Sequence, residues 1–469
     1  MHIRAAAALV ILPVFIYAGC AAFRVPDEPP TPTALTPVWS DDELEDHLEY
    51  LNESDGAERT TGTSGYARAA AYVAARMREF RLQPVEGDDY RVIYTTPMNY
   101  PLSAALRIVR NADSTLFYPG IDFLVHGRSD SGYASVRTFV VTEDTTGLSS
   151  APSGPFGVVF RRGDVEGAIL RAWRGAGAVL AIAVQPLTPR FHADRIPGLL
   201  AVQITRRISD GLLVPNWSNI PAGSTIDLPW RIVALARTDF QQSAGAINLF
   251  GFVAGKHPVS ARELVLICAD LDGTSNFAGT QTVDFENFGV GTAALLEVAR
   301  NLGSVSRRWS LPERSVLLAV WSGSKLGHQG LRHFLSNPYW ERDRITAVIY
   351  VGLDDEEVVP VQRLLETHGL ALHVIRSPAT PLFERPFVLQ PDLNLRRLAR
   401  DSREMESSTA IADPYALPDM DDIVSIAVGQ AKDLAAPAYE RLLLESTDIM
   451  PYIPANEDSL VVPQAAVGE

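Results

Sequence analysis

The run Leu264-Val265-Leu266-Ile267-Cys268-Ala269-Asp270-Leu271-Asp272 decides the fold. An unbroken apolar stretch of this length, ending in acids, reads as a strand buried on both faces, the pattern of parallel sheets. A loop with Asp284-Phe285-Glu286-Asn287 follows, and the spacing from Thr292 to Arg300 predicts a helix. Ser315 to Trp321 predicts a second buried strand, ending in Gly323-Ser324-Lys325-Leu326-Gly327. Alternation of this kind from Ile247 to about Leu444 predicts an α/β, three-layer sheet with helices on both faces. Ligands of such sheets collect beyond the carboxyl ends of the strands. The acids at 270–272 and 354–357 and the 323–327 turn therefore mark the candidate site.

Upstream, Ser40-Asp41-Asp42-Glu43-Leu44 predicts a helix start with acids in its first turn. Ala70, Val73, Ala74, Met77 and Phe80 fall at helical spacing, with Ser64 the expected cap. Residues 111–235 read as a small inserted α/β domain. Its parts are a strand at Gly157–Phe160, a turn at Arg161-Arg162-Gly163-Asp164, a helix to Gly175, and strands at Gly177–Ala183 and Leu199–Ile204. The remaining divisions are residues 1–19, 20–39, 40–110, 236–449 and a loose tail at 450–469.

A chain of 469 residues suits two or three domains. Its 46% hydrophobic and 21% charged content is ordinary for a globular protein. With 41 basic and 56 acidic side chains the net charge is −15, which argues against nucleic acid as a partner. Arg4 precedes an apolar run, Ala5 to Ala18, too short to span a membrane comfortably. Tyr17-Ala18-Gly19-Cys20 resembles the lipobox of bacterial lipoproteins, although Tyr17 departs from the usual Leu. That resemblance implies removal of residues 1–19, lipidation at Cys20, export, and a membrane-anchored place in the cell envelope. Pro26, Pro29, Pro30, Pro32 and Pro37 make 20–39 an extended tether. Cys268 then has no partner for an intrachain disulfide and is expected to be an inert core thiol.

The whole order of elements resembles the zinc aminopeptidase superfamily, which includes bacterial leucyl aminopeptidases, glutamate carboxypeptidase II and the transferrin receptor. The pieces that carry it are Arg59–Thr63 with its helix, Ile247-Asn248-Leu249-Phe250-Gly251, the acidic strand end, the Gly291–Arg300 helix and Gly323–Phe334. The insert resembles the protease-associated domain, with Ile196-Pro197 before its last strand. The resemblance implies a zinc-exopeptidase-like fold. In family enzymes two zinc ions held by His and carboxylates activate a bridging water, and a Glu takes its proton.

Carried over position by position, that site is largely absent. Asp270 stands at the first His, and Asp272 at the Asp that orients it. Asn287 falls at the bridging Asp, or Glu286 if the alignment slips by one. Ser324 and Lys325 replace the Glu-Glu pair. Gly352 falls at the next Asp, with Asp354 the slipped alternative, and Ala416 in Tyr415-Ala416-Leu417-Pro418 falls at the last His. A Ser hydroxyl is a poor base, and an ammonium repels dications. Lys325 is expected to pair with Asp270 and fill the vacated space. Ser324 and Lys325 are expected to point opposite ways on a strand end, against a Ser-Lys dyad. His257, His328, His333, His368 and His373 are expected in surface or packing roles, and 354–357 as a solvated loop.

The reading is thus a catalytically inactive, aminopeptidase-like envelope lipoprotein without a cofactor. It would bind or scaffold a peptide or protein partner. The alternatives are an active two-zinc exopeptidase with atypical ligands, or a structural part of an envelope assembly.

Overall fold

The computed structural model describes residues 37–52, 59–111, 113–161, 165–187, 191–273, 276–277, 280–283, 289–305, 312–353, 355–376, 387–388 and 420–447. Cys20, Glu286, Asn287, Asp354, Ala416, the tether up to residue 36 and the 450–469 tail lie outside them.

The helices are α1 (Asp41–Asn52), α2 (Ser64–Glu79), α3 (Gly167–Gly175), α4 (Arg206–Leu212), α5 (Val290–Val305), α6 (Gln329–Ser336), α7 (Asp355–Glu366) and α8 (Met420–Thr447). The strands of the first half are β1 (Gln83–Pro84), β2 (Arg91–Arg110), β3 (Asp113–Phe117), β4 (Phe123–Val125), β5 (Gly132–Thr142), β6 (Phe156–Phe160), β7 (Ala178–Val184) and β8 (Leu200–Ile204). Those of the second are β9 (Thr225–Val253), β10 (Leu264–Asp270), β11 (Asn276–Phe277), β12 (Thr280–Val283), β13 (Ser315–Trp321), β14 (Ile345–Val351), β15 (Leu372–Ile375) and β16 (Phe387–Val388).

The expected buried strands pair in parallel. β10 lies between β13 and β14, with Asp270 opposite Trp321 and Cys268 opposite both Ala319 and Tyr350. β15 continues the parallel set beside β14. One face of this sheet packs α1, α2, α5 and α8 through Leu48, Val73, Leu296 and Leu434 against Ile267 and Ile349. The other packs Leu331, Phe334 and Leu365 against Leu266, Trp321 and Tyr350. Three layers result, as the alternation predicts. Cys268 is wholly buried, and burial pushes its thiol well above its ordinary pKa.

β9 joins the two halves. It runs antiparallel to β13, with Val253 opposite Val316, and then continues into the insert beside β5. β2 follows it from Arg91↔Leu249 to Val109↔Arg231. The sheet is therefore continuous through both halves, and residue 235 lies inside an unbroken strand. In the insert β5, β6, β7 and β8 pair in parallel, with α3 against β7.

Local corrections concern ends and turns. The cap of α2 is Thr63, not Ser64: the Tyr66 amide donates to the Thr63 hydroxyl at 3.2 Å. Ser324–Leu326 is a tight helical turn, not a strand end, because Gly323 takes φ +67° and turns the chain.

Candidate functional site

Asp270, Asp272, Ser324, Lys325 and Gly352 line one small cavity at the carboxyl ends of β10, β13 and β14. The sequence brings them together by register: Asp270 ends β10, Gly352 follows β14, and Ser324–Lys325 follow β13. The floor is glycine-lined for a steric reason. A Cβ on Gly291 would sit 2.7 Å from the Val351 carbonyl, so the start of α5 can press against the end of β14.

Asp272 is the most constrained carboxylate. Its Oδ1 accepts from the Thr61 amide at 2.9 Å and the Thr61 hydroxyl at 2.5 Å. Its Oδ2 accepts from the Ser324 amide at 2.6 Å and the Ser324 hydroxyl at 3.1 Å. Burial raises its pKa, while these donors oppose the rise. The buried Arg59 guanidinium supplies the neighbouring positive charge. It donates to the Leu271 carbonyl at 3.2 Å and to the Leu51 carbonyl, and burial lowers its pKa to about 10 against the pull of Asp272.

Asp270 has a partner that sequence analysis did not anticipate. Its Oδ1 accepts from the Tyr350 phenol at 2.6 Å, a hydrogen bond that comes from β14. Burial raises the Asp270 pKa to about 6; His328, the Tyr350 hydrogen bond and the Lys325 charge pull it down. Lys325 lines the same cavity, and its charge pulls in the same direction. Tyr350 was legible as the one phenol in an apolar strand, at the register of Cys268.

His328 and Glu357 are the larger correction. His328 is 3% exposed, takes φ +59°, lines the cavity, and sets Nε2 3.0 Å from Glu357 Oε2. The 354–357 stretch is not a loop throughout: α7 begins at Asp355, and Glu357 in its first turn faces His328. Acids followed by Val358-Val359 are a helix-start signature that finds this residue. The other histidines keep structural roles. His333 stacks on Tyr94 with ring centres 4.5 Å apart, and His257 Nδ1 accepts from the Ser260 amide at 3.1 Å.

The 322–330 turn is fastened from several sides. Asn248 on β9 accepts from the Ser322 amide and hydroxyl and donates to the Gly330 carbonyl. The Gly323 amide donates to the Thr61 hydroxyl at 2.7 Å. Leu326 is buried in the core of the insert. Ser324 cannot serve as the nucleophile of a Ser-Lys dyad in this geometry, because its hydroxyl already donates to Asp272.

No family model matches the chain. Among solved structures, the aminopeptidase from Aneurinibacillus sp. strain AM-1 superposes with TM-score 0.52 at 12% identity, covering 87% of this chain and 94% of that one. The zinc aminopeptidase of Bacillus subtilis gives 0.50 at 14% identity, covering 87% and 96%. A peptidase M28 precursor from Shewanella amazonensis gives 0.50 at 15% identity, covering 89% and 100%. The chain therefore has the fold of these zinc-exopeptidase-like enzymes. Human transferrin receptor protein 2 is 27% identical over 168 residues, which is 36% of this chain and 20% of the receptor.

Proposed function

We propose that the chain is a non-hydrolysing protein of the aminopeptidase fold, anchored in the cell envelope through Cys20, that binds a peptide or protein partner. The observation that carries this reading is the closure of Thr61 and Ser324 on Asp272. Four donors occupy the carboxylate, so it has no lone pair left to orient a metal ligand. The position of the general base holds a hydroxyl that donates, and Gly352 offers no side-chain ligand. Lys325 adds a cation to the space two dications would share. A pair of unit charges about 4 Å apart at an effective dielectric near 20 repels by about 4 kcal/mol. These residues do not fit a zinc pair.

The test uses the full chain. Purified protein is incubated with zinc, desalted, and assayed for bound metal by mass spectrometry and for release of p-nitroaniline from aminoacyl anilides. The expected result is substoichiometric zinc and no turnover above buffer. About two zinc per chain with turnover would restore the active reading, with Asp270, His328 and Glu357 as the donors to examine first.

A further inference from the structure

From the part of the sheet in the insert, we infer that the outer face of β2, β3, β5 and β9 is a docking surface for a protein partner presenting carboxylates around an apolar patch. Cross-strand register puts the relevant side chains on one side. Leu235 on β9 stands opposite Tyr133 on β5 and Ala105 on β2. Two residues along, Val233 stands opposite Arg107, which in turn stands opposite Leu116 of β3. Arg231 and Arg237 share this face by the two-residue period of β9. The reverse face, with Leu106, Ile108, Ala134, Ile232, Ala234 and Ala236, is the insert's core.

The outer face is not finished as a solvent surface. Tyr133, Leu235 and Leu116 are 64%, 50% and 52% exposed. Arg107, Arg137, Arg231 and Arg237 are also exposed, and none has an ion pair with a described residue. The acids on the same side are engaged at its ends: Asp227 accepts from the Thr138 hydroxyl, and Asp239 from the Gln241 amide. A concentration of unpaired guanidinium in a chain of charge −15 runs against its overall field. Exposed tyrosine and arginine around an aliphatic centre are the residue types that anchor protein interfaces.

Charge complementarity selects carboxylates, and the residue type favours a protein over an anionic membrane. The cations are all arginines, whose planar fork pairs bidentately with carboxylates. The inference deepens the proposed binding role, and it does not use the cavity.

The experiment measures binding of a fluorescent poly(Glu,Tyr) random copolymer to the full chain by anisotropy at low salt. Phosphatidylglycerol vesicles serve as the lipid comparison. The Arg107→Ser/Arg231→Ser double variant is expected to weaken copolymer binding by about tenfold or more. Tyr133→Ser is expected to weaken it severalfold, and Arg206→Ser on α4 and Lys325→Ala in the cavity to leave it unchanged. Circular dichroism confirms that each variant is folded. Equal binding by all variants overturns the inference. So does tighter, arginine-dependent binding to vesicles, which makes the face a lipid surface. Loss with Lys325→Ala alone moves the site to the cavity; it overturns this inference and leaves the proposed function standing.

Discussion

Replacing Thr61 by valine tests the closure on Asp272 directly. Thr61 is 1% exposed, and valine keeps its shape and β-branched backbone preference while removing the hydroxyl. That hydroxyl makes two buried bonds. It donates to Asp272 Oδ1, and it accepts from the Gly323 amide at 2.7 Å. A hydrogen bond to a charged group contributes about 1.5–3 kcal/mol, and a buried amide left without a partner costs about 1–3 kcal/mol. Thr61→Val should therefore destabilise the chain by about 3–5 kcal/mol. Thr61→Ser keeps both bonds and loses only a methyl, at about 1 kcal/mol. Urea unfolding at pH 7.5, followed by tryptophan fluorescence, gives both values. If the valine variant falls within about 1 kcal/mol of the serine variant, Asp272 is not held as described. Asp272 would then keep a lone pair with which to orient a metal ligand.

Other consequences concern pH and packing. Burial lowers the His47 pKa from 6.5 to about 3, so the unfolded chain takes up the proton first as pH falls. Stability is full above 6.5 and is lost on descending toward 3. Wild type should lose about 2 kcal/mol between pH 7.5 and 5 that His47→Leu does not, by urea titration at each pH. Asp270 has the opposite sign: its folded pKa is raised from 3.8 to about 6, so its contribution falls as pH rises through that window. Asp270→Asn keeps an acceptor for Tyr350 and should gain up to about 3 kcal/mol over wild type at pH 7.5, and little near pH 4. A pH-independent difference contradicts the assignment. Leu326→Ala should cost about 2–5 kcal/mol and speed proteolysis of the 322–330 turn, since that leucine ties it to the insert.

The parallel core was readable because burial on both faces leaves a continuous apolar signal, as in Leu264–Ala269 and Val316–Trp321. The strand ends were readable for the same reason, since the first acid or glycine after such a run marks the sheet's rim. What one sequence does not encode locally is which side chain meets which across the rim. Tyr350 and Asp270 are 80 residues apart, and Thr61 and Asp272 are 211 apart. Their hydrogen bonds follow from register and from the path of α2. The place of His328 in the cavity was not legible, because its burial depends on a left-handed turn between Gly327 and α6, which periodicity does not report. The outer face of β9 was invisible too, because alternation shows that a side chain points outward but not that its neighbours are unpaired.

The same constraints connect the closed cavity to the exposed face. The 322–330 turn is held by Thr61, by Asn248 of β9 and by Leu326 within the insert. It therefore cannot shift without disturbing both halves of the sheet. A hydrolase of this shape needs its strand-end loops to accommodate a substrate and two metals. Here the turn after β13 is fastened by hydrogen bonds that end on the buried Asp272. A preordered surface loses little entropy on binding. The arginines without an ion pair among the described residues lie on the ribbon that shares β9 with that fastened turn, so a partner docked there would meet a surface already fixed by the core.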